Sequence, residues 1–432
     1  IQTKPIMILA PDDSILSQIL NAVNRYNLYA THKLSLVDLK QNWERDNHYT
    51  QPDYLASDYT KVYYYKSNNF VADKSDVASN KDGKNIYFDN YRNLDGWYLF
   101  LDEAHRGEDS KSKRKAIFNI LAKNGFLFNF SATFTDDIDV ITTIFDMNLA
   151  KFLSFGYGKK LYISETEIGD LAIGINQDVL VDKEDLEKQK TISKTVLLLA
   201  LQRKNASSIS QIDKNLYHMP LMLILAGQVN SEDKGLKPFF NYLIQMVKYE
   251  WNIDQAKQEL KKELNSIDKE GKHTNFKFGL GDAGQIRTIC NQIDELTTAE
   301  IWTHVFGGDK GNIEIITFDK NKNEVAFKLK TANQPFALLV IGDALNWLKS
   351  DHSGVFEVVN RSLDLSLFDE INSSDNIAML LGSQMFKEGW DSNRPNIVCY
   401  LGIGKNADNK KYVMQTIGRG IRIEPLPDQR KR

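Results

Sequence analysis

The sequence predicts an α/β fold of two lobes, each built on a parallel sheet, with an α+β insertion in the second lobe. Three observations carry that prediction. First, apolar runs of five or six residues recur: Trp97-Tyr98-Leu99-Phe100-Leu101, Phe126-Leu127-Phe128-Asn129-Phe130 and Leu221-Met222-Leu223-Ile224-Leu225-Ala226. Continuous runs without alternation are the pattern of strands buried on both faces of a parallel sheet. Second, helically spaced segments separate the runs, and strand–helix–strand order implies parallel crossovers. Third, two of the runs end in short polar strings, and open α/β sheets bind ligands just beyond the carboxyl ends of their strands.

The elements follow in order. Residues 6–10 read as a strand, and residues 15–23 as the helix after it, capped by Asp12, Asp13 or Ser14. Residues 61–66 and 85–88 are short β-like runs. Residues 111–124 alternate helically between the two polar-tipped strands. Residues 136–145 read as a helix, 160–164 as a strand, and 182–204 as a long amphipathic helix leaving the lobe. The run at 221–226 reopens the strand pattern and starts the second lobe. Residues 239–264 read as one helix, 276–284 as a glycine-rich loop, and 285–306 as helical. Residues 313–318 and 324–329 flank Asp319-Lys320-Asn321-Lys322-Asn323, which signals a hairpin. Residues 337–341, 355–359, 377–381 and 397–401 supply the remaining strands. The domain reading is therefore 1–180 for the first lobe, 181–218 for a helical linker and 219–432 for the second lobe. An insertion at about 251–337 either touches DNA or a partner or braces the lobe.

Composition narrows the function classes. A chain of 432 residues with 42% hydrophobic content holds about two to four domains with sizeable cores. The net charge of −3 excludes a globally basic nucleic-acid coat, although a local groove suffices for phosphate contacts. Two cysteines, Cys290 and Cys399, exclude a disulfide framework and a four-cysteine zinc site, and read as buried fillers. The seven histidines lack metal-ligand spacing. No apolar run approaches the roughly 18–20 residues that span a bilayer, and no secretory signal is present, so the expectation is a cytoplasmic protein without membrane contact.

The polar strings carry the chemistry. Asp102-Glu103-Ala104-His105 follows the first run and emerges where a nucleotide should sit. Two carboxylates there take different jobs. Asp102 would hold Mg²⁺, mostly through water, because Mg²⁺ keeps much of its hydration shell. Glu103 would orient and deprotonate the attacking water. The bland alternative is a strand ending in two solvated acids. Gln415-Thr416-Ile417-Gly418-Arg419-Gly420-Ile421-Arg422 has a matching logic. Planar guanidinium groups at Arg419 and Arg422 would stabilise phosphoryl charge. Their spacing of three shares a face if a helix starts near Gly418. Gly418 and Gly420 leave room for close backbone approach, and Gln415 would bond phosphate or position water. Tyr63-Tyr64-Tyr65 reads as core more than as a base-stacking platform.

Together with Ser131-Ala132-Thr133 and Gly382-Ser383-Gln384-Met385-Phe386-Lys387-Glu388-Gly389-Trp390-Asp391, these strings resemble motifs II, III, V and VI of superfamily-2 helicases and translocases. Asp102 to His105 resembles the DEAH form of Walker B. The wording from Asp102 through Asp109, from Asn124 to Thr135 and from Gly382 to Asp391 resembles the Res subunits of type III restriction-modification enzymes. The resemblance implies two RecA-like lobes and an ATP hydrolase that moves on double-stranded DNA beside a methyltransferase subunit. It implies Asp102, Gly389, Asp391, Gly418, Arg419 and Arg422 as nucleotide-binding residues, with ATP and Mg²⁺ as substrate and cofactor. His105, Ser131, Ala132 and Thr133 would couple hydrolysis to nucleic acid, and Ser383 and Lys387 would contact nucleic-acid phosphate. Hydrolysis would be tied to closure of two lobes around a shared nucleotide.

Two departures stand out. No Gly-x-x-x-x-Gly-Lys-Ser/Thr loop occurs, and the string Lys81-Asp82-Gly83-Lys84-Asn85 lacks the first glycine and the hydroxyl. The opening Pro5-Ile6-Met7-Ile8-Leu9-Ala10-Pro11 resembles motif Ia, which lies after the phosphate loop in this family. The expectation is that the phosphate-binding segment precedes Ile1, that a nuclease domain lies beyond Arg432, and that this piece alone hydrolyses ATP poorly. Two other readings are carried: a stand-alone superfamily-2 DNA or RNA helicase, and a non-catalytic scaffold.

Overall fold

Apolar runs alternating with helices build two sheets. The computed structural model describes residues 4–41, 59–79, 82–92, 96–104, 113–132, 134, 140–164, 184–226, 236–248, 251–267, 269–271, 283–319, 321–347, 357–361, 366–382, 392–401 and 407–423. These fall into two units, one carrying the described residues up to Asp146 and the other those from Met147 on.

The first unit holds β1 (Ile6–Ala10), α1 (Asp13–Tyr29), β2 (Lys33–Asp38), β3 (Tyr59–Lys66), a two-residue pairing of β4 (Phe70–Val71) with β5 (Ile86–Tyr87), β6 (Tyr98–Leu101), α2 (Lys113–Leu121) and β7 (Phe126–Asn129). Its five-stranded sheet runs β2-β3-β1-β6-β7. Every neighbouring pair is parallel, as the continuous apolar runs predict. Asp12 caps α1 by accepting the Ile15 N–H at 2.9 Å. Ile117, Phe118 and Leu121 of α2 bury against Met7, Leu9, Tyr63, Trp97 and Leu99. Tyr63 meets Trp97 edge to face at 5.5 Å, and the Tyr65 hydroxyl donates to the Lys84 carbonyl at 2.6 Å. The tyrosine triplet is thus core, as expected. Gly125 is required where β7 begins, because a Cβ there would lie 2.0 Å from the Trp97 carbonyl oxygen.

One expectation fails in this unit. The run at 126–130 is not buried on both faces: β7 ends the sheet, with Phe126 53% and Phe130 50% exposed. Its aromatic rings instead form a ladder, Phe100 stacking on Phe128 at 4.7 Å and on Phe130 at 6.0 Å. The helix expected over 136–145 falls partly outside the described residues. Within them only residues 140–141 are helical, and the backbone is turn or irregular from 142 to 148.

The second unit holds α3 (Leu149–Ser154), α4 (Glu184–Ile212), β8 (Leu221–Ala226), α5 (Leu236–Lys248), α6 (Ile253–Leu264), α7 (Ala283–Glu295), β9 (Ile313–Phe318), β10 (Glu324–Leu329), β11 (Ala337–Val340), β12 (Glu357–Arg361), β13 (Met379–Gly382), β14 (Pro395–Leu401) and α8 (Ala407–Gly420). Its seven-stranded sheet runs β12-β9-β10-β11-β13-β8-β14. The sheet is mixed rather than purely parallel: β10 is antiparallel to β9 and β11, and the other pairs are parallel. The predicted hairpin is present as β9 and β10. These strands lie in the same sheet as β8 and β13, and the hairpin's Phe327 packs on Phe240 at 4.6 Å within one hydrophobic cluster.

Three further expectations are corrected here. Residues 160–164 are not a strand; Lys160 and Tyr162 bond to side chains of helices α7 and α6 rather than to a ladder. The span 239–264 is two helices, because Asn252 caps α6 by accepting the Gln255 N–H at 3.0 Å. The long helix α4 is not amphipathic: the polar Ser193, Thr195 and Arg203 are buried along with Val196, Leu197, Leu199, Ala200 and Leu201.

Buried cations tie down the amino edge of this sheet. Arg394, 2% exposed, donates to the carbonyls of Met219 at 2.9 Å, Ser374 at 2.7 Å, Ile377 at 2.6 Å, and Ile371. Arg203 donates to Pro220 and Asp375 carbonyls at 2.7 Å each, and to that of His304. Burial lowers both guanidinium groups, Arg203 to about 9 and Arg394 to about 10. With every acceptor a backbone carbonyl, these arginines hold loops and the starts of strands.

Candidate functional site

The acidic string begins where β6 leaves the sheet. The Asp102 N–H still donates to the Leu9 carbonyl at 2.9 Å, so Asp102 stands beside the end of β1, the central strand. The Phe130 N–H donates to the Leu101 carbonyl at 2.9 Å, and the Ala104 N–H returns to the Phe130 carbonyl at 3.0 Å. Those two bonds bring Ser131 and Ala132, just past β7, beside the acidic turn. The first two polar strings thus lie side by side at the carboxyl edge of this sheet.

The turn itself is strained. Glu103 has φ of +50°, the only non-glycine residue in the left-handed region among those described. A side chain there costs on the order of 1–2 kcal/mol. The Glu103 N–H donates to Asp102 Oδ1 at 2.9 Å, which orients the Asp102 carboxylate and supports the turn. Both acids are half-buried. A single oriented carboxylate at a strand end suits Mg²⁺, which takes few protein ligands and keeps several waters. Among the described residues no three His, Cys, Asp or Glu side chains gather as a metal cage.

The second unit carries the arginine string on α8. The expected helix start near Gly418 is a correction: α8 begins at Ala407 and ends at Gly420, so Gly418 and Arg419 lie in its last turn. Arg422 lies beyond the helix, its N–H donating to the Arg419 carbonyl at 3.3 Å. The helix starts earlier, and Tyr412 and Thr416 supply buried positions within it. A cation at the last turn is also favoured by the helix dipole. A Cβ at Gly418 would meet nothing within 4 Å, so packing inside this unit does not demand glycine there. Gln415 carries a buried Oε1 with no hydrogen-bond partner. Such an acceptor costs about 1–3 kcal/mol unless a ligand or water satisfies it. Thr416 is wholly buried, its hydroxyl donating within α8 to the carbonyls of Tyr412 and Val413 and meeting the Tyr400 hydroxyl at 2.5 Å.

His105, Thr133, Ser383, Lys387, Gly389 and Asp391 lie outside the described residues. Gly382, the first residue of the string that holds Ser383, Lys387, Gly389 and Asp391, ends β13 and pairs with Val340 and Leu225 in the middle of the sheet.

Residues 1–136 match the family model described as Type III restriction enzyme, res subunit. The match supports a helicase-like, Res-type domain over that segment, which contains Asp102, Glu103, Ser131 and Ala132. Domains of that kind use ATP with Mg²⁺ and act on nucleic acid. No curated protein matches the chain. No helix among the described residues is long and apolar enough to cross a membrane.

Sequence reasoning missed one residue beside the arginine string. Lys159 donates its backbone N–H to the Ile421 carbonyl at 2.7 Å, and its ammonium to the carbonyls of Asn393 and Pro395 at 2.6 Å each. Burial lowers that ammonium to about 7. The string Gly156-Tyr157-Gly158-Lys159-Lys160 has no periodicity and no motif, so its one signal was two glycines in five residues.

Proposed function

We propose that this chain is the ATP-driven DNA motor of a type III-like restriction enzyme, the Res subunit, working beside a methyltransferase subunit that reads the DNA site. The observation that carries the reading is the strained Glu103 turn at the carboxyl edge of an all-parallel sheet. Evolution keeps such strain at sites where a side chain must be aimed. The match of residues 1–136 to the Res family supports it.

In this reading Asp102 holds Mg²⁺, chiefly through water. When bound, the ion neutralises phosphate charge and orients the phosphates. Glu103 orients the attacking water and accepts its proton. Arg419 and Arg422 stabilise negative charge on the transferred phosphoryl group, and Gln415 positions water or phosphate with its amide. Gly389 and Gly418 allow close backbone approach to the nucleotide, and Asp391 takes its ribose or Arg419. His105, Ser131, Ala132 and Thr133 pass the change of nucleotide state toward DNA, where Ser383 and Lys387 bond the phosphate backbone.

The test is ATP hydrolysis by the intact protein with and without double-stranded DNA. DNA stimulates hydrolysis, and Glu103→Gln lowers it by about a hundredfold or more. A Glu103→Gln protein that hydrolyses at the parental rate sinks the assignment.

A further inference from the structure

The chain enters the second unit through α3 and then runs as an irregular strap over residues 155–164. Its middle is fastened to the turn that carries the motif arginines. Gly158 has φ of +74°, and a Cβ there would lie 2.6 Å from the Ile421 carbonyl oxygen. The strap therefore approaches that carbonyl more closely than any side-chain-bearing residue allows. The next residue, Lys159, supplies the bond: its N–H takes the Ile421 carbonyl at 2.7 Å. Ile421 sits between Arg419 and Arg422 and is 6% exposed. Helix ends leave carbonyls unsatisfied, and an outside donor at this point decides where the chain goes after α8.

The Lys159 side chain closes the arrangement. Its ammonium bonds the Asn393 and Pro395 carbonyls, at the start of β14. That strand packs along α8, where Val398 Cγ2 lies 3.5 Å from the place of a Gly420 Cβ. One residue thus joins the end of α8 to the strand beneath it. The strap is anchored farther on as well. Lys160 Nζ donates to Gln285 Oε1 at 3.1 Å, and the Tyr162 hydroxyl donates to the Glu263 carboxylate, which also takes Lys194 at 2.8 Å.

We infer that Lys159 is a positioning residue for phosphoryl transfer, holding the Ile421 turn so that Arg419 and Arg422 are presented in a fixed geometry. This rests on the reading of those arginines as phosphate-contacting groups. A buried lysine with only carbonyl acceptors is a poor source of stability, since desolvating its charge offsets much of what its bonds return. Geometry at the arginine turn is what it supplies. Small misplacements of charge-stabilising groups cost rate far more than they cost binding.

The experiment compares Lys159→Met, Lys159→Gln and Glu103→Gln in the intact protein. Lys159→Met keeps the length of the side chain and removes its donors; Lys159→Gln retains N–H donors without a buried charge. The expected result for Lys159→Met is kcat for DNA-stimulated ATP hydrolysis lower by about tenfold or more, with KM for ATP within about twofold. Amide exchange at residues 417–423 speeds up in the same variant, while exchange in β8 stays parental. Lys159→Gln recovers part of kcat, and it decides the matter alone if Lys159→Met does not fold. Parental kcat in the folded variants, or unchanged exchange at 417–423, overturns the inference. If Glu103→Gln is inactive while Lys159→Met is parental, the strap inference fails and the motor reading stands. If Glu103→Gln is fully active, the motor reading itself fails.

Discussion

Asp102 donates its backbone N–H to the carbonyl of Leu9 at 2.9 Å, and this bond sets the first acid of the polar string against the central strand of a parallel sheet. The string is therefore an extension of the ladder for one residue. Only at Glu103 does the backbone break away, and it does so through a left-handed turn.

That break predicts a separation of stability from activity. Glu103→Gly relieves the side-chain strain of a φ of +50°. The flexible unfolded chain that glycine brings offsets part of the gain, so stability is expected to match or slightly exceed the parent, by about 0–1 kcal/mol. Hydrolysis is expected to be lost as in Glu103→Gln. Thermal melting and ATP turnover on the same preparation check this. A clear loss of stability would show that the glutamate side chain holds the turn, and would remove the argument from strain.

Neighbouring residues of one motif are expected to fail in different ways. Thr416 is wholly buried and bonded within α8 and to Tyr400. Thr416→Val should cost about 1–3 kcal/mol of stability, through the bonds lost around it. Arg419→Ala should leave melting almost unchanged and reduce kcat by about a thousandfold, the scale expected for a guanidinium acting on phosphoryl charge. Denaturant titration and steady-state hydrolysis separate the two. An Arg419→Ala variant that melts early yet turns over normally would make Arg419 a structural residue.

Stability should depend on pH through His218. Its ring stacks on Tyr217 at 4.1 Å, and its Nε2 donates to Asn396 Oδ1 at 3.1 Å. Burial, with the nearby Lys159 and Arg394 charges, moves the imidazole from 6.5 down to about 3. Between those values the unfolded chain binds a proton that the folded unit refuses, so stability rises with pH across this window and is lost on acidification. Lys159, lowered from 10.5 to about 7 by burial, adds a second rise on the alkaline side of neutrality. Denaturation midpoints from about pH 4 to pH 9 measure both limbs. His218→Gln should flatten the acid limb, and an acid limb that persists unchanged would assign it to other groups.

Much of the fold was legible because burial writes itself into apolar runs. Residues 6–10, 98–101 and 221–226 are buried parallel strands where the sequence expected them, and the hairpin at β9 and β10 follows from its turn composition. Less legible were the places where one pattern has two explanations. Residues 126–130 are as apolar as a central strand, yet they form an edge strand with a stacked aromatic face. Residues 160–164 look β-like, but their hydrogen bonds go to Gln285 and Glu263. The length and apolar content of α4 were visible, whereas the burial of Ser193, Thr195 and Arg203 among its apolar residues was not, because a hydrophobic count does not say which neighbours surround a helix.

By itself the sequence determined the order of strands and helices, the two acids at a strand end, and the pairing of glycines with arginines near residue 420. These are local facts, set by side-chain hydrophobicity and by the chemistry each residue type can perform. Only the tertiary structure decided that Glu103 is held in a left-handed turn, that Arg419 ends a helix rather than starts one, and that Lys159 grips the Ile421 carbonyl. Each depends on a hydrogen bond or steric limit between segments remote in the chain or on backbone torsion, and no periodicity in the sequence records such a meeting.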